Sequence, residues 1–206
     1  SRRRYSIRHQ VKRCDFGYTF CPISLTLPIT PEIREIAKSD ERKGFAGHVG
    51  THFDVMGKEF PLEYSERVGV VFDVSDVHGR DILTTDIDLD LVGKDMFVGF
   101  RTGFVEKAGY GSKGYFSEHP QLSVELIDAL VEKGVSIVGL DFAGIRRPPE
   151  HTPTDARLAN AGTFVVENLC GLDALVACEQ PLTICTYPMK YIGLTGLPCR
   201  VIARVG

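Results

Sequence analysis

The 206-residue sequence has no tryptophan, no long apolar run, no C-x-x-C pair and no excess of positive charge. A helix that crosses a bilayer needs about 20 consecutive apolar residues, and no stretch approaches that length. The 24 Lys and Arg against 27 Asp and Glu give a formal net charge of −3. A general nucleic-acid binder carries a basic excess instead. The six cysteines, Cys14, Cys21, Cys170, Cys178, Cys185 and Cys199, fit neither a zinc knuckle nor a disulfide framework, and no signal-peptide pattern precedes them. They read as free thiols of a cytoplasmic protein, several of them on buried strands. The missing indole says little about fold but bears on the substrate.

What is present is ordinary for a soluble globular chain: 43% hydrophobic and 25% charged residues. That length suits one compact domain with a full core, expected over residues 22–206. Ahead of it, residues 1–21 form a basic leader whose first stretch carries Arg2, Arg3, Arg4, Arg8, Lys12 and Arg13 without an acid. An arm for an acidic partner is one reading of it; a flexible, charged leader is the simpler one.

Strand-like segments fall at Ile23–Leu27, Arg67–Val74, Asp95–Arg101, Ser136–Phe142, Thr163–Leu169, Leu182–Tyr187 and Arg200–Val205. Between Ser123 and Lys133, Val124, Ile127 and Val131 recur at helical spacing, with Ser123 an N-cap and Gly134 a stop. A second helix is expected over Thr152–Ala161. Strands alternating with helices late in the chain predict parallel pairing there, and the earlier part could be antiparallel. The fold class is α/β with a mixed sheet.

The sharpest segment is Gly47–Lys58, GHVGTHFDVMGK. It carries His48, His52 and Asp54, whose imidazole nitrogens and carboxylate oxygens suit zinc, manganese or iron(II). On a flat strand, positions 48 and 52 would lie about 13 Å apart, too far for one ion. The chain must therefore turn between them, and Gly50 is the residue able to do so, with Thr51 free to bond the turned backbone. Two histidines and an aspartate around a permissive glycine favour a metal site over ordinary turn histidines. Glu167 stands in the apolar run TFVVENL, where a carboxylate is costly unless paired or metal-bound; alternation could equally give it a solvent face.

These residues resemble a known family. H-V-G-T-H-F-D is similar to the H-x-G-T-H-x-D signature of the cyclase-like metal-dependent hydrolases, which include bacterial kynurenine formamidases and isatin hydrolases. Arg101-Thr102-Gly103, the helix-strand unit Leu122–Asp141 ending G-L-D, and Gly162–Leu169 ending E-N-L resemble further family motifs in the same order. The resemblance runs from about residue 22 to the C-terminus. It implies a swivelling β/β/α domain assembled as a homodimer or homotetramer. It also implies a divalent metal ion, zinc or manganese, held by His48, His52, Asp54 and Glu167, with Asp54 and Glu167 bridging to a second ion where one is present.

Three departures stand out. Met56 and Lys58 replace the proline and the proton-transfer histidine of the family's D-x-P-x-H. Asp155 stands twelve residues before Glu167, where the formamidases have a metal-binding histidine. The tryptophan that stacks on kynurenine is absent. Asp155 is then an oxygen ligand, a base, or the acid of a capping box opened by Thr152 with Pro153 at N1. Lys58 is a base of lowered pKa, a cation for a substrate carboxylate, or an exposed lysine. His151 reads as a surface histidine, Glu63 and Glu66 as solvated, and Arg146 and Arg147 as loop cations near a strand end where ligands bind. The expected activity is hydrolysis of a C–N bond in a small-molecule amide, formamide or cyclic amide. The competing expectation is a catalytically altered member that keeps fold and metal in a binding or structural role. No nucleic-acid or membrane partner is expected.

Overall fold

The computed structural model describes residues 23–27, 32, 33, 35, 47–176 and 178–206, so the basic leader lies outside the described residues. Among the described residues eight strands form one sheet: β1 (Ile23–Ser24), β2 (His52–Asp54), β3 (Glu66–Asp73), β4 (Phe97–Arg101), β5 (Ile137–Leu140), β6 (Phe164–Glu167), β7 (Leu182–Pro188) and β8 (Gly196–Val205). Their order is β1-β8-β2-β6-β5-β4-β3-β7, and β7 pairs with β8. The sheet therefore closes into a mixed barrel. Its ten-residue β8 takes β7 along one edge and both β1 and β2 along the other.

The parallel pairs are β3–β4, β4–β5 and β5–β6. The antiparallel pairs bring in β1, β2, β7 and β8 from both ends of the chain. Pairing thus differs from the expected division into an antiparallel early part and a parallel late part. The last two strands are joined by a short connection that forces a hairpin, whereas each parallel step is made through a longer crossover.

Alternation along the strands builds two apolar layers. Phe53, Phe97, Ile137, Val166, Ile184 and Val201 fill the barrel interior. Val98, Phe100, Val138, Leu140 and Val165 face outward, against Leu126, Ile127 and Leu130 of helix α3 (Val124–Glu132) and Leu158 of helix α4 (His151–Ala161). Ser123 caps α3 by accepting from the Leu126 N–H at 3.1 Å, and Gly134 follows with φ 70°, as the pattern predicts. The short helices α1 (Phe104–Ala108) and α2 (Lys113–Ser117) lie between β4 and α3, and α5 (Asp173–Val176) follows β6. Among the described residues no helix is long and apolar enough to cross a membrane.

The R-T-G and G-L-D motifs meet physically. The Asp141 carboxylate, just past β5, accepts from the Thr102 N–H at 2.8 Å, the Thr102 hydroxyl at 2.5 Å and the Gly103 N–H at 2.6 Å. It thereby ties the end of β4 and the start of α1 to the end of β5. Burial pushes Asp141 up to about 6 even though these donors oppose the shift.

Candidate metal centre

His52 and Asp54 sit two residues apart on β2 and share one face of the sheet, while Phe53 between them enters the barrel interior. The register places His52 opposite Glu167 of β6, so all three side chains stand on the outer face. Helix α4 covers that face. His151 and Asp155, one helical turn apart, project from it toward the same point.

The chain turns at Gly50, which has φ 68°. The turn brings His48 back so that its Nδ1 lies 2.9 Å from Asp54 Oδ1 and 3.0 Å from His52 Nε2. The other His48 nitrogen meets the Thr195 hydroxyl at 2.9 Å. His52 Nε2 lies 3.5 Å from Asp54 Oδ1 and 3.7 Å from Glu167 Oε2. His151 Nε2 lies 3.0 Å from Asp155 Oδ2, 3.4 Å from Glu167 Oε1 and 3.8 Å from Asp54 Oδ2. Two triads share Asp54: His48, His52 and Asp54; and Asp54, His151 and Asp155.

Several of the carboxylate oxygens are left unsatisfied. Both Asp54 oxygens, Asp155 Oδ1 and Glu167 Oε1 are buried without a hydrogen-bond partner, although imidazole nitrogens lie close by. An orphaned buried carboxylate oxygen is costly. Lone pairs that converge on a common point without pairing are what ion ligands need. Donors about 2.1 Å from one ion lie roughly 3.0–3.4 Å from each other in octahedral or tetrahedral arrangements, and the contacts span 2.9 to 3.8 Å. The residues present therefore fit a divalent cation.

Charge and burial act strongly here. Burial pulls His52 down, but the Asp54 carboxylate and Glu167 outweigh it and raise the ring to about 9. Burial, and then the Asp54 charge, push Glu167 up to about 8. Burial likewise lifts Asp155 to about 6 against the pull of His151. Asp54 goes the other way, well below the usual carboxylate range, because contacts from His151, His48 and His52 overcome its desolvation. His151 is raised: burial lowers it, and the surrounding carboxylates more than offset that.

The structure thus gathers His48, His52, Asp54, Asp155 and Glu167, and adds His151. Two readings are corrected. Asp155 is not the acid of a capping box: α4 begins at His151 with Glu150 as N-cap and no capping side chain, and Asp155 is buried on the helix face toward the cluster. His151 is not a bystander at the surface. The i, i+4 spacing of His151 and Asp155 was the signal for it, masked by the alignment of Asp155 with the family's histidine. Thr51 bonds elsewhere than expected. Its hydroxyl donates to the Asn168 carbonyl at 2.8 Å and accepts from Leu27 N at 2.9 Å. Lys58 is exposed beyond the turn at Gly57, and its amine is not among the atoms gathered around Asp54. Arg146 is engaged by Asp81, Glu150 and the Leu122 carbonyl, and Glu66 by Arg204 and Tyr187. Sequence reasoning passed over Tyr110, whose phenol oxygen accepts from the Gly50 N–H at 2.9 Å. It also passed over Asn168 and Tyr115.

A closed mixed barrel with clustered histidines and carboxylates under a covering helix defines the class. The family model described as "Putative cyclase" matches residues 23–146, and the chain belongs to that family. A structure of isatin hydrolase A from Labrenzia aggregata, bound to benzyl benzoate, superposes with a TM-score of 0.70 at 22% identity, covering 90% of this chain and 94% of that one. A predicted metal-dependent hydrolase from Bacillus stearothermophilus gives 0.68 at 22% identity, covering 91% and 99%. A potential metal-dependent hydrolase with cyclase activity gives 0.70 at 22% identity, covering 91% and 98%. No curated protein matches the sequence.

Proposed function

We propose that this chain is a metal-dependent hydrolase that cleaves the C–N bond of a small amide, formamide or cyclic amide. The observation that carries the reading is the set of orphaned carboxylate oxygens facing imidazole nitrogens at the end of β2 and β6. His48, His52, Asp54 and Glu167 would hold the first ion, with zinc or manganese suited to this mixed nitrogen and oxygen set. His151 and Asp155, with Asp54 and Glu167 shared, would hold a second. A divalent ion bound there lowers the pKa of a coordinated water and polarises the substrate carbonyl. The similar fold of isatin hydrolase A supports the bond type, since isatin is itself a cyclic amide.

The chain's own residues supply position and proton handling. The His52 ring is anchored through Nδ1 to the Gly50 carbonyl at 2.8 Å, so Nε2 faces the cluster. Asp155, lifted toward neutrality by burial, is placed to accept a proton from the attacking water if only one ion binds. If two bind, Asp155 is a ligand and does not serve as the base. Metal analysis of the purified protein counts the ions, with His52→Ala as control. A panel of N-formyl amines, lactams and cyclic imides then tests turnover. Metal content no higher than the control removes the metal reading, and a loaded protein inert toward the whole panel removes the hydrolase reading.

A further inference from the structure

The Asn168 side chain lies beside the cluster without entering it. The Tyr115 hydroxyl donates to Asn168 Oδ1 at 2.7 Å. Asn168 Nδ2 in turn donates to the Gly50 carbonyl at 2.9 Å. That same carbonyl accepts from His52 Nδ1 at 2.8 Å. A carbonyl can only accept, so the neutral His52 ring carries its proton on Nδ1 and offers Nε2 as the lone-pair nitrogen to an ion. Tyr115 is fully buried and Asn168 is 1% exposed, so water does not compete for these bonds.

The backbone is held as firmly as the side chain. Asn168 has φ 58°, in the left-handed region that Asn tolerates better than most residues. Its carbonyl accepts from Thr51 Oγ1 at 2.8 Å, and its N–H donates to the Phe142 carbonyl at 3.2 Å. The turn at Gly50 is pinned from its other side by Tyr110, whose phenol oxygen accepts the Gly50 N–H. Tyr115 is held by rings on three sides, Phe104 at 5.7 Å, Tyr110 at 5.4 Å and Phe116 at 5.3 Å between centroids. The whole assembly fixes one peptide carbonyl, and that carbonyl fixes one imidazole.

We infer that Tyr115 and Asn168 are positioning residues: a buried relay through the Gly50 carbonyl that sets the tautomer and ring plane of His52 and thereby the affinity of the cluster for its ion. The inference rests on reading His52 as a metal ligand. Partners of this kind orient a ligating histidine and typically change metal affinity by roughly 10- to 100-fold when removed. The identity of residue 168 answers two demands together, a left-handed backbone and an amide that accepts on one side and donates on the other. Aspartate would still accept from Tyr115 but could not donate to Gly50, and glycine would keep the backbone and lose both bonds.

The test is the dissociation constant of Mn2+ and of Zn2+ for the full chain, measured by competition with a chromophoric chelator on the parent, Tyr115→Phe, Asn168→Gly and Asn168→Asp. Circular dichroism and urea unfolding run in parallel. Tyr115→Phe keeps the ring packing, so it isolates the hydroxyl. Weakening by roughly 10-fold or more in variants that retain the parent's fold is the expected result. Asn168→Gly should lose the most affinity, because it lacks the donor to Gly50 and brings no carboxylate near the His52 Nδ1–H. A merely structural role would lower the urea midpoint and leave the affinity of the folded protein unchanged. Folded variants that bind within about twofold of the parent overturn the relay alone. Should the Asn168 variants fail to fold, Tyr115→Phe decides by the same criterion. A parent that takes up neither ion overturns the metal reading and the relay with it.

Discussion

Loading the cluster with a divalent ion should expel protons, and the number follows from the structure. In the metal-free protein His52 is held at about 9 and Glu167 at about 8, so at pH 7 both keep a proton. The Nδ1 proton of His52 is fixed on the Gly50 carbonyl, so the extra one sits on Nε2, where the ion must bind. The two groups titrate as a pair, because the Glu167 charge itself helps to raise His52, so filling the site made by His48, His52, Asp54 and Glu167 releases between about one and two protons. His151 is also raised, so an ion on the second triad releases about one more. Any ionisation of a coordinated water adds to these counts and subtracts nothing. The assay is isothermal titration of Mn2+ or Zn2+ into chelator-stripped protein at pH 7, in buffers of different ionisation enthalpy; the slope of observed heat against that enthalpy is the proton count. The logarithm of affinity should rise by about one to two per pH unit between pH 6 and 8 and flatten above about 9. Affinity that does not change over that window, or release of fewer than about 0.5 protons per ion, refutes the account of the cluster's charge.

Three further outcomes are expected. The metal-free protein should lose stability as pH rises from about 6 to 9: His52 is raised from 6.5 to about 9 and Glu167 from 4.5 to about 8, so each favours folding while protonated and loses that contribution as pH passes its folded value. Thermal melts across this range should show the decline without metal and its suppression with metal. Asp141→Ala leaves the Thr102 and Gly103 N–H groups buried without an acceptor, at about 1–3 kcal/mol each; urea unfolding should show a loss of about 3 kcal/mol or more, and Asp141→Asn should recover part of it. A Cβ at Gly139 would stand 2.3 Å from Phe97 Cζ and 2.9 Å from Leu169 Cδ1, so Gly139→Ala should destabilise by about 1–3 kcal/mol while leaving ion affinity intact.

Much of the fold could be read from local pattern. The expected strand at Arg67–Val74 is β3 at Glu66–Asp73, and the expected helix from Ser123 is α3; alternation and capping are short-range signals that tertiary contacts had only to accept. Pairing direction was not legible in the same way. Whether β2 lies beside β6 or β3 depends on contacts more than a hundred residues apart, and barrel closure depends on a single long strand, β8, finding partners on both edges. His52–Asp54 is only three residues long, too short for its own periodicity to say which face it buries.

The site divides along a similar line. His48, Gly50, His52 and Asp54 lie close in sequence, and the rise per residue of an extended strand alone required the turn that Gly50 makes. Glu167 needed its partner: its side could not be settled by alternation within β6, since all four residues of that strand are buried, and only the pairing of His52 with Glu167 gives it a role. His151 shows where counting residues failed. Matching Asp155 to a family histidine twelve residues before Glu167 treats the segment as a line, whereas it is a helix with 3.6 residues per turn. One turn earlier on the same face stands His151, whose Nε2 reaches Asp155 Oδ2 at 3.0 Å and Glu167 Oε1 at 3.4 Å. An imidazole and a carboxylate spaced i, i+4 present the two ligand types together, so a histidine absent from its expected position has a counterpart one turn away. A divergent metal site is therefore better sought by helical face than by fixed spacing.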